Sequence, residues 1–315
     1  MAKFYYGGQA VIEGVMMRGR TLVAMAIRRP DQRIYVYQEA STLRGYQNRV
    51  FRLPFLRGVL LLWETLILGS RLMTLSANIA GGVIDPDELS SDEGASQKVS
   101  NAALIVPMLV SLSLAVAFFF VGPVVVTSLM PAVISDSWLG FVVEGIIRLG
   151  LLLGYLYFIG RVPDIQRVFG YHGAEHKAIN TMEQGYSLDV EHVRRASRVH
   201  TRCGTGFLLL VVAVSIVVFA LVGLPSILVK IVARIILVPV VAGIAYELMR
   251  LGAENYRYRV VRWLLAPVLA LQRMTTREPD DGMIECAIAA LQRVMECDAQ
   301  EFTSSTRPDQ PPLAV

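Results

Sequence analysis

All four histidines of the 315-residue chain, His172, His176, His192 and His200, fall between residues 161 and 203. Two of them frame His172-Gly173-Ala174-Glu175-His176, an H-x-x-E-H pattern. On a helix His172 and His176 lie a turn apart on one face and can share a metal ion. Glu175, about 100° round that helix, can orient or deprotonate a bound water. His200-Thr201-Arg202-Cys203 adds an imidazole and a thiol three residues apart. Mixed nitrogen and sulphur donors with one position left open are a zinc pattern. The chemistry indicated is therefore metal-assisted hydrolysis, with His172, His176, His200 and Cys203 as ligands, zinc as the favoured divalent ion and Glu175 as base. Two further carboxylates, Glu13 in Gly8-Gln9-Ala10-Val11-Ile12-Glu13-Gly14 and Glu247, could complete the sphere or carry a proton. His192, among Glu191, Arg194 and Arg195, reads as part of a solvated helix face, and Cys286 and Cys297 as helix core.

These residues need a scaffold, and composition says where it sits. Hydrophobic residues make up 54% of the chain, charged residues only 18%, and the mean hydropathy is +0.50, which is too apolar for an ordinary soluble domain. No residue from Val99 to Ser135 is charged, and Asn101 to Met130 alone exceeds the roughly 20 residues that cross a bilayer. Trp138 to Gly160, Gly204 to Val222 and Ile227 to Met249 supply three more spans, paired into two hairpins by Pro131 to Ser137 and by Gly223-Leu224-Pro225-Ser226. Neither tight loop holds Lys or Arg, whereas the longer segments hold Arg161, Arg167, Lys177, Arg194, Arg195, Arg198, Arg202, Arg250 and Arg257. The charge bias places both termini and the central loop in the cytoplasm of an inner-membrane protein. Phe55 to Ile79 carries Arg57, Glu64 and Arg71 at intervals of seven and reads as an amphipathic helix lying on or partly in the membrane, so four spans are expected and five are the alternative.

The fold class expected is mainly α: a polytopic helical membrane protein with a small β-containing N-terminal lobe and cytoplasmic amphipathic helices. Its parts are an N-terminal lobe (1–52), a membrane-associated helix (53–80), a polar linker (81–98), a first transmembrane hairpin (99–160), a cytoplasmic helical segment (161–203), a second hairpin (204–249), C-terminal helices (250–301) and a disordered tail (302–315). In the lobe, Thr21 to Arg29 and Arg33 to Glu39 flank Pro30-Asp31-Gln32 as a hairpin, with Gly7-Gly8 expected to turn before it. Ser187 is expected to cap a helix through His192 and Val199 that returns antiparallel to the first and brings His200 to His176. Within the second span, Glu144 and Arg148 stand i, i+4 and can neutralise each other. Three scattered cysteines argue against an oxidised scaffold, no cleavable signal peptide is visible, and a net charge of +4 concentrated beside apolar stretches makes nucleic acid no partner.

Four motifs in one order carry a resemblance: Gly7-Gly8-Gln9-Ala10-Val11-Ile12-Glu13-Gly14-Val15-Met16-Met17-Arg18-Gly19, Tyr171 to Lys177, His200 to Thr205, and Thr275-Thr276-Arg277-Glu278-Pro279-Asp280-Asp281 followed by Glu285. Together they resemble the YqhQ-like family of bacterial membrane proteins, described as predicted metal-dependent enzymes of unknown function. That resemblance implies membrane location and metal binding, names no reaction, and carries over Glu13, Arg18, His172, Glu175, His176, His200 and Cys203 as site residues. H-x-x-E-H itself looks like the inverted zinc-peptidase motif, over five residues only. Two functions remain open. One is a zinc-dependent membrane hydrolase acting on a membrane lipid, a lipid-linked substrate or a membrane protein. The other is a non-enzymatic assembly or transport factor with a structural metal or none.

Overall fold

The computed structural model describes residues 6–40, 55–85, 101–135, 137–223 and 226–305. The segment expected as linker lies largely outside the described residues, as do most of the expected tail and the centre of the second tight turn.

Four short strands, β1 (Gly7–Val11), β2 (Gly14–Arg18), β3 (Leu22–Arg28) and β4 (Ile34–Ala40), form an antiparallel meander in sequence order. β3 and β4 are the hairpin read from the sequence. Gly7-Gly8, expected as a turn, instead opens β1 opposite Arg18 and Met17. The turn falls at Ile12-Glu13, where Glu13, in the second central position, takes a left-handed φ of 52°. Period-two alternation sends Val11, Met16, Val23, Met25 and Ile27 to one face and Ala10, Val15, Met17, Ala24 and Ala26 to the other. Both faces are covered, so both are apolar, and the simple polar alternation of an exposed sheet is absent.

The first face packs on the C-terminal half of α1 (Leu56–Ala80) through Leu72 and Ile79. Contact is close: a Cβ on Gly69 would fall 2.5 Å from Gln9 Oε1, and the Ser76 hydroxyl accepts a hydrogen bond from the Ile12 amide. The N-terminal end of the same helix leans on a later one, where Gly58 meets the Tyr246 ring and Arg57 pairs with Glu247. The opposite face of the sheet carries α6 (Pro163–Glu183) and α11 (Asp281–Ser305), through Tyr171, Ala174 and Ala178 on one and Ile284, Ala287 and Leu291 on the other.

Five helices are long and apolar enough to cross a membrane: residues 57–80 of α1, 105–128, 138–159, 204–222 and 227–254. The second of these is α2 (Asn101–Val116) continued through a π-helical turn (Ala117–Val121) into α3 (Gly122–Ser128). A short α4 (Ala132–Ser135) leads to α5 (Trp138–Ile159), and α8 (Gly204–Val222) and α9 (Ile227–Glu254) follow the intervening α7 (Val190–Arg195). Leu114, Ile146, Val217 and Ile236 point outward, as expected where lipid replaces water.

Inside this bundle Glu144 of α5 accepts from Arg148 Nη2 at 2.7 Å and from Arg234 of α9 through Nε and Nη2, each at 3.1 Å. Arg148 also donates to Ser215 of α8 and, through Nε, to the Phe119 carbonyl, which lies in the π-helical turn. The widened ladder of such a turn leaves carbonyls for an outside donor. Arg234 lies 4.1 Å from the centroid of the Phe219 ring, whose face stands in for the acceptor that its buried Nη1 lacks. The expected i, i+4 pair is thus one part of a four-helix knot.

Candidate metal centre

Pro163 opens α6, with Asp164 in the first turn, a combination that starts helices well because proline needs no amide partner there and the carboxylate meets the positive end of the helix. Two turns further on, His172 and His176 project from one face with ring centroids 4.4 Å apart. Each ring is oriented by a backbone carbonyl: His172 Nδ1 lies 2.9 Å from the Thr275 oxygen and His176 Nδ1 2.7 Å from that of Arg198. A carbonyl can only accept, so both Nδ1 atoms carry the proton and both Nε2 lone pairs are left bare.

The first of them faces a thiol. Cys203 Sγ lies 3.2 Å from His172 Nε2, and ligand atoms from His172, His176 and Cys203 all lie within 4.8 Å of one another. Cys203 caps α8, its sulphur accepting from the Thr205 amide at 3.4 Å. Two imidazoles and one cysteine sulphur are donors that metal ions take, and three protein ligands leave a further position. This group could hold a metal ion.

The return from α6 to Cys203 is not the long helix expected. α7 ends at Arg195, and its N-cap is Asp189, which accepts from the His192 amide, while Ser187 bonds to Asp189 instead of capping. The rest is irregular because α6 side chains satisfy its carbonyls. Lys177 takes the Arg194 oxygen, Asn180 those of Ser197 and Val199, and His176 that of Arg198. α10 (Arg259–Thr275) holds the far side: Gln272 donates to the His200 carbonyl and accepts from its amide, and Thr275 supplies the His172 partner. Gln272, Glu183 and the two accepting carbonyls are not singled out by the sequence. Only Thr275, first residue of a motif, carried a signal.

Glu175 is buried, its Oε2 3.5 Å from His176 Nε2. Gly8 makes room for it, since a Cβ there would fall 2.8 Å from Glu175 Cγ. His200 stands beside the group, its ring centroid 5.8 Å from that of His176 and its Nε2 3.4 Å from Glu183. Burial pushes the His200 imidazole below its ordinary range, against the opposing charge of Glu175, so the ring is neutral at pH 7.

Glu13 and Arg18 are placed elsewhere. Glu13 accepts from Arg167 at 2.6 and 2.5 Å and from the Tyr171 hydroxyl at 3.2 Å, bonds that tie the sheet to α6 and, led by Arg167, hold its carboxyl below the usual range. Arg18 closes β2 opposite Gly7, one register position from the glycine that admits Glu175. Glu247 is engaged by Arg57 and the Phe55 amide, and His192 by Asp189.

Residues 53–297 match a family described as protein of unknown function (DUF1385). This chain belongs to that family. It is also 35% identical over 298 residues to the uncharacterized protein YqhQ of Bacillus subtilis (strain 168), with 93% of each chain covered. No solved structure matches. Both the four-motif resemblance and the family match point the same way, and the family description assigns no reaction.

Proposed function

We propose that the chain is a four-span membrane protein whose cytoplasmic face carries a zinc-dependent, hydrolase-like centre acting on a lipid-linked or membrane-embedded substrate. The observation that carries this reading is the gathering of His172, His176 and Cys203: two carbonyls orient the rings through Nδ1, His172 Nε2 faces the Cys203 sulphur at 3.2 Å, and one ligand atom from each residue lies within 4.8 Å of the others. Two imidazoles and a cysteine sulphur so close together can form the first sphere of an ion. A bound zinc supplies a Lewis acid and acidifies a coordinated water. Glu175, buried at 3.5 Å from His176 Nε2, takes up and returns a proton. Neutral His200 and the Glu183 carboxylate line the adjoining wall.

For the topology, the packing of Leu72 and Ile79 of α1 on the sheet supports four spans over five. Arginines and lysine gather at the metal end of the bundle, and the tight loops at the other end lack them, in keeping with cytoplasmic termini at an inner membrane.

A second reading has a specific observation behind it. Cys203 is both a candidate ligand and the cap of α8, so a closed sphere with Glu175 as fourth ligand would act as a structural staple in a non-enzymatic assembly factor. Metal content of the purified full-length chain tests both. Near-stoichiometric zinc in wild type and its loss in His176→Ala and Cys203→Ser is the expected result, and equal trace metal in all three disposes of the centre. Glu175→Gln separates the readings: zinc stays if Glu175 is the base and falls if it is a ligand.

A further inference from the structure

A cavity of about 380 Å³ lies between the sheet, α1 and α9, with Gly7, Leu61, Arg202, Tyr246, Met249 and Arg250 in its walls. It belongs to none of the features described above, yet it touches the candidate centre at two ends. Gly7 precedes Gly8, against which Glu175 packs, and Arg202 precedes Cys203. Arg202 is paired with Glu183, and its guanidinium lies 3.5 Å from His200 Nε2.

The walls differ in chemistry. Leu61, Tyr246 and Met249 come from the two membrane-associated helices and present apolar surface, while the arginines stand where those helices meet the polar lobe. Arg250 is half-exposed; Glu254, also in the cavity wall, takes its Nε at 2.8 Å, and the Nη groups are the donors it can turn to a ligand. A planar guanidinium with free paired donors recognises phosphate oxygens well, and an adjoining apolar wall prefers an alkyl chain to water. The volume is within the range of small-molecule sites, roughly 300–1,000 Å³.

We infer that this cavity binds a phosphate-headed amphiphile of the inner leaflet, admitted between α1 and α9, with Arg250 and Arg202 on the phosphate and the chain along Leu61 and Met249. The inference rests on the proposed reading of the centre for its purpose, since a headgroup held there lies beside Glu183, His200 and Glu175. The site itself is a matter of cavity and charge, and can be tested apart from the metal.

The experiment is native mass spectrometry of the full-length chain released from a nonionic detergent, with dodecyl phosphate, inorganic phosphate or dodecylammonium added. One dodecyl phosphate per chain should be retained, and the other two probes retained at least roughly tenfold less, since each lacks either chain or charge match. Ala253→Trp, which fills the cavity, and Arg250→Gln, which removes the charge, should each weaken retention by roughly tenfold. Wild-type retention in both variants, or equal retention of inorganic phosphate or dodecylammonium, overturns the inference. Zinc is weighed in the same spectra. An amphiphile adduct on a metal-free wild-type chain sinks the metal reading alone, and a zinc-loaded chain that retains no dodecyl phosphate sinks the cavity alone.

Discussion

Gly173 offers a perturbation whose sign separates helix propensity from site geometry. It sits in α6 between His172 and Ala174, where alanine is the better helix former by roughly 0.8–1.0 kcal/mol, so propensity alone makes Gly173→Ala stabilising. The structure says otherwise. A Cβ there would lie 2.1 Å from the Arg277 carbonyl oxygen, a backbone atom. A carbon and an oxygen rest at about 3.3 Å, so the two segments must part by roughly 1.2 Å. Arg277 is anchored, its amide donating to Phe169 at 2.8 Å and its guanidinium to Gly160 at 2.9 Å, so the displacement passes along the chain. Two residues back, Thr275 holds His172 Nδ1 at 2.9 Å. Stretched by a similar amount, that bond reaches on the order of 4 Å and ceases to be one. Losing such a partner costs roughly 10–100-fold in metal affinity. The assay is competition for zinc against a chromophoric chelator, with Gly150→Ala as control because a Cβ at Gly150 meets nothing within 4 Å. Wild-type zinc affinity in Gly173→Ala would refute the argument that the Thr275 carbonyl sets the ring.

Removing the carboxylate at Glu144 leaves two guanidiniums facing each other inside the bundle, so Glu144→Gln should destabilise by roughly 3–5 kcal/mol, read as a lower melting temperature in detergent; an unchanged melt would show that the knot carries no stability. Because Arg167 depresses the Glu13 carboxyl below its ordinary 4.5, this pair contributes stability above the unfolded-state value that is lost as pH falls through the folded one. Acid titration of wild type and Glu13→Gln should therefore show curves that are apart at neutral pH and merge in strong acid; parallel curves throughout would contradict the pairing. Burial pushes the Cys286 thiol up to about 11 and leaves it no exposed surface, so an alkylating reagent at pH 7.5 should label the partly exposed Cys297 well before Cys286 by peptide mass spectrometry, and equal rates would mean that α11 is not seated as described.

Apolar stretches were readable because lipid imposes one rule on every residue of a span, and α5, α8 and α9 begin within a residue of where hydropathy alone puts them. His172 and His176 were readable because helical spacing is a local property. What escaped was set by partners distant in sequence. Gly7-Gly8 looks like a turn until Glu175, far along the chain, is seen to need the space above Gly8. The segment after α7 looks helical until His176 and Asn180 are found holding its carbonyls. Arg234 joins Glu144 across 90 residues, and no spacing rule reaches that far. Glu13 stood in a motif with the look of a site, and its geometry makes it the bolt between a hairpin turn and α6.

One sulphur atom answers to two masters. Cys203 looks toward the imidazoles from one side and ends the hydrogen-bond ladder of α8 from the other, and twelve residues on, roughly 18 Å away, Ser215 of the same rod grips Arg148. Whatever displaces that atom must also reset the first turn of a bilayer-crossing shaft. News of the pocket thus has a mechanical route along the helix, and amide exchange at Thr205 is where it would first be heard.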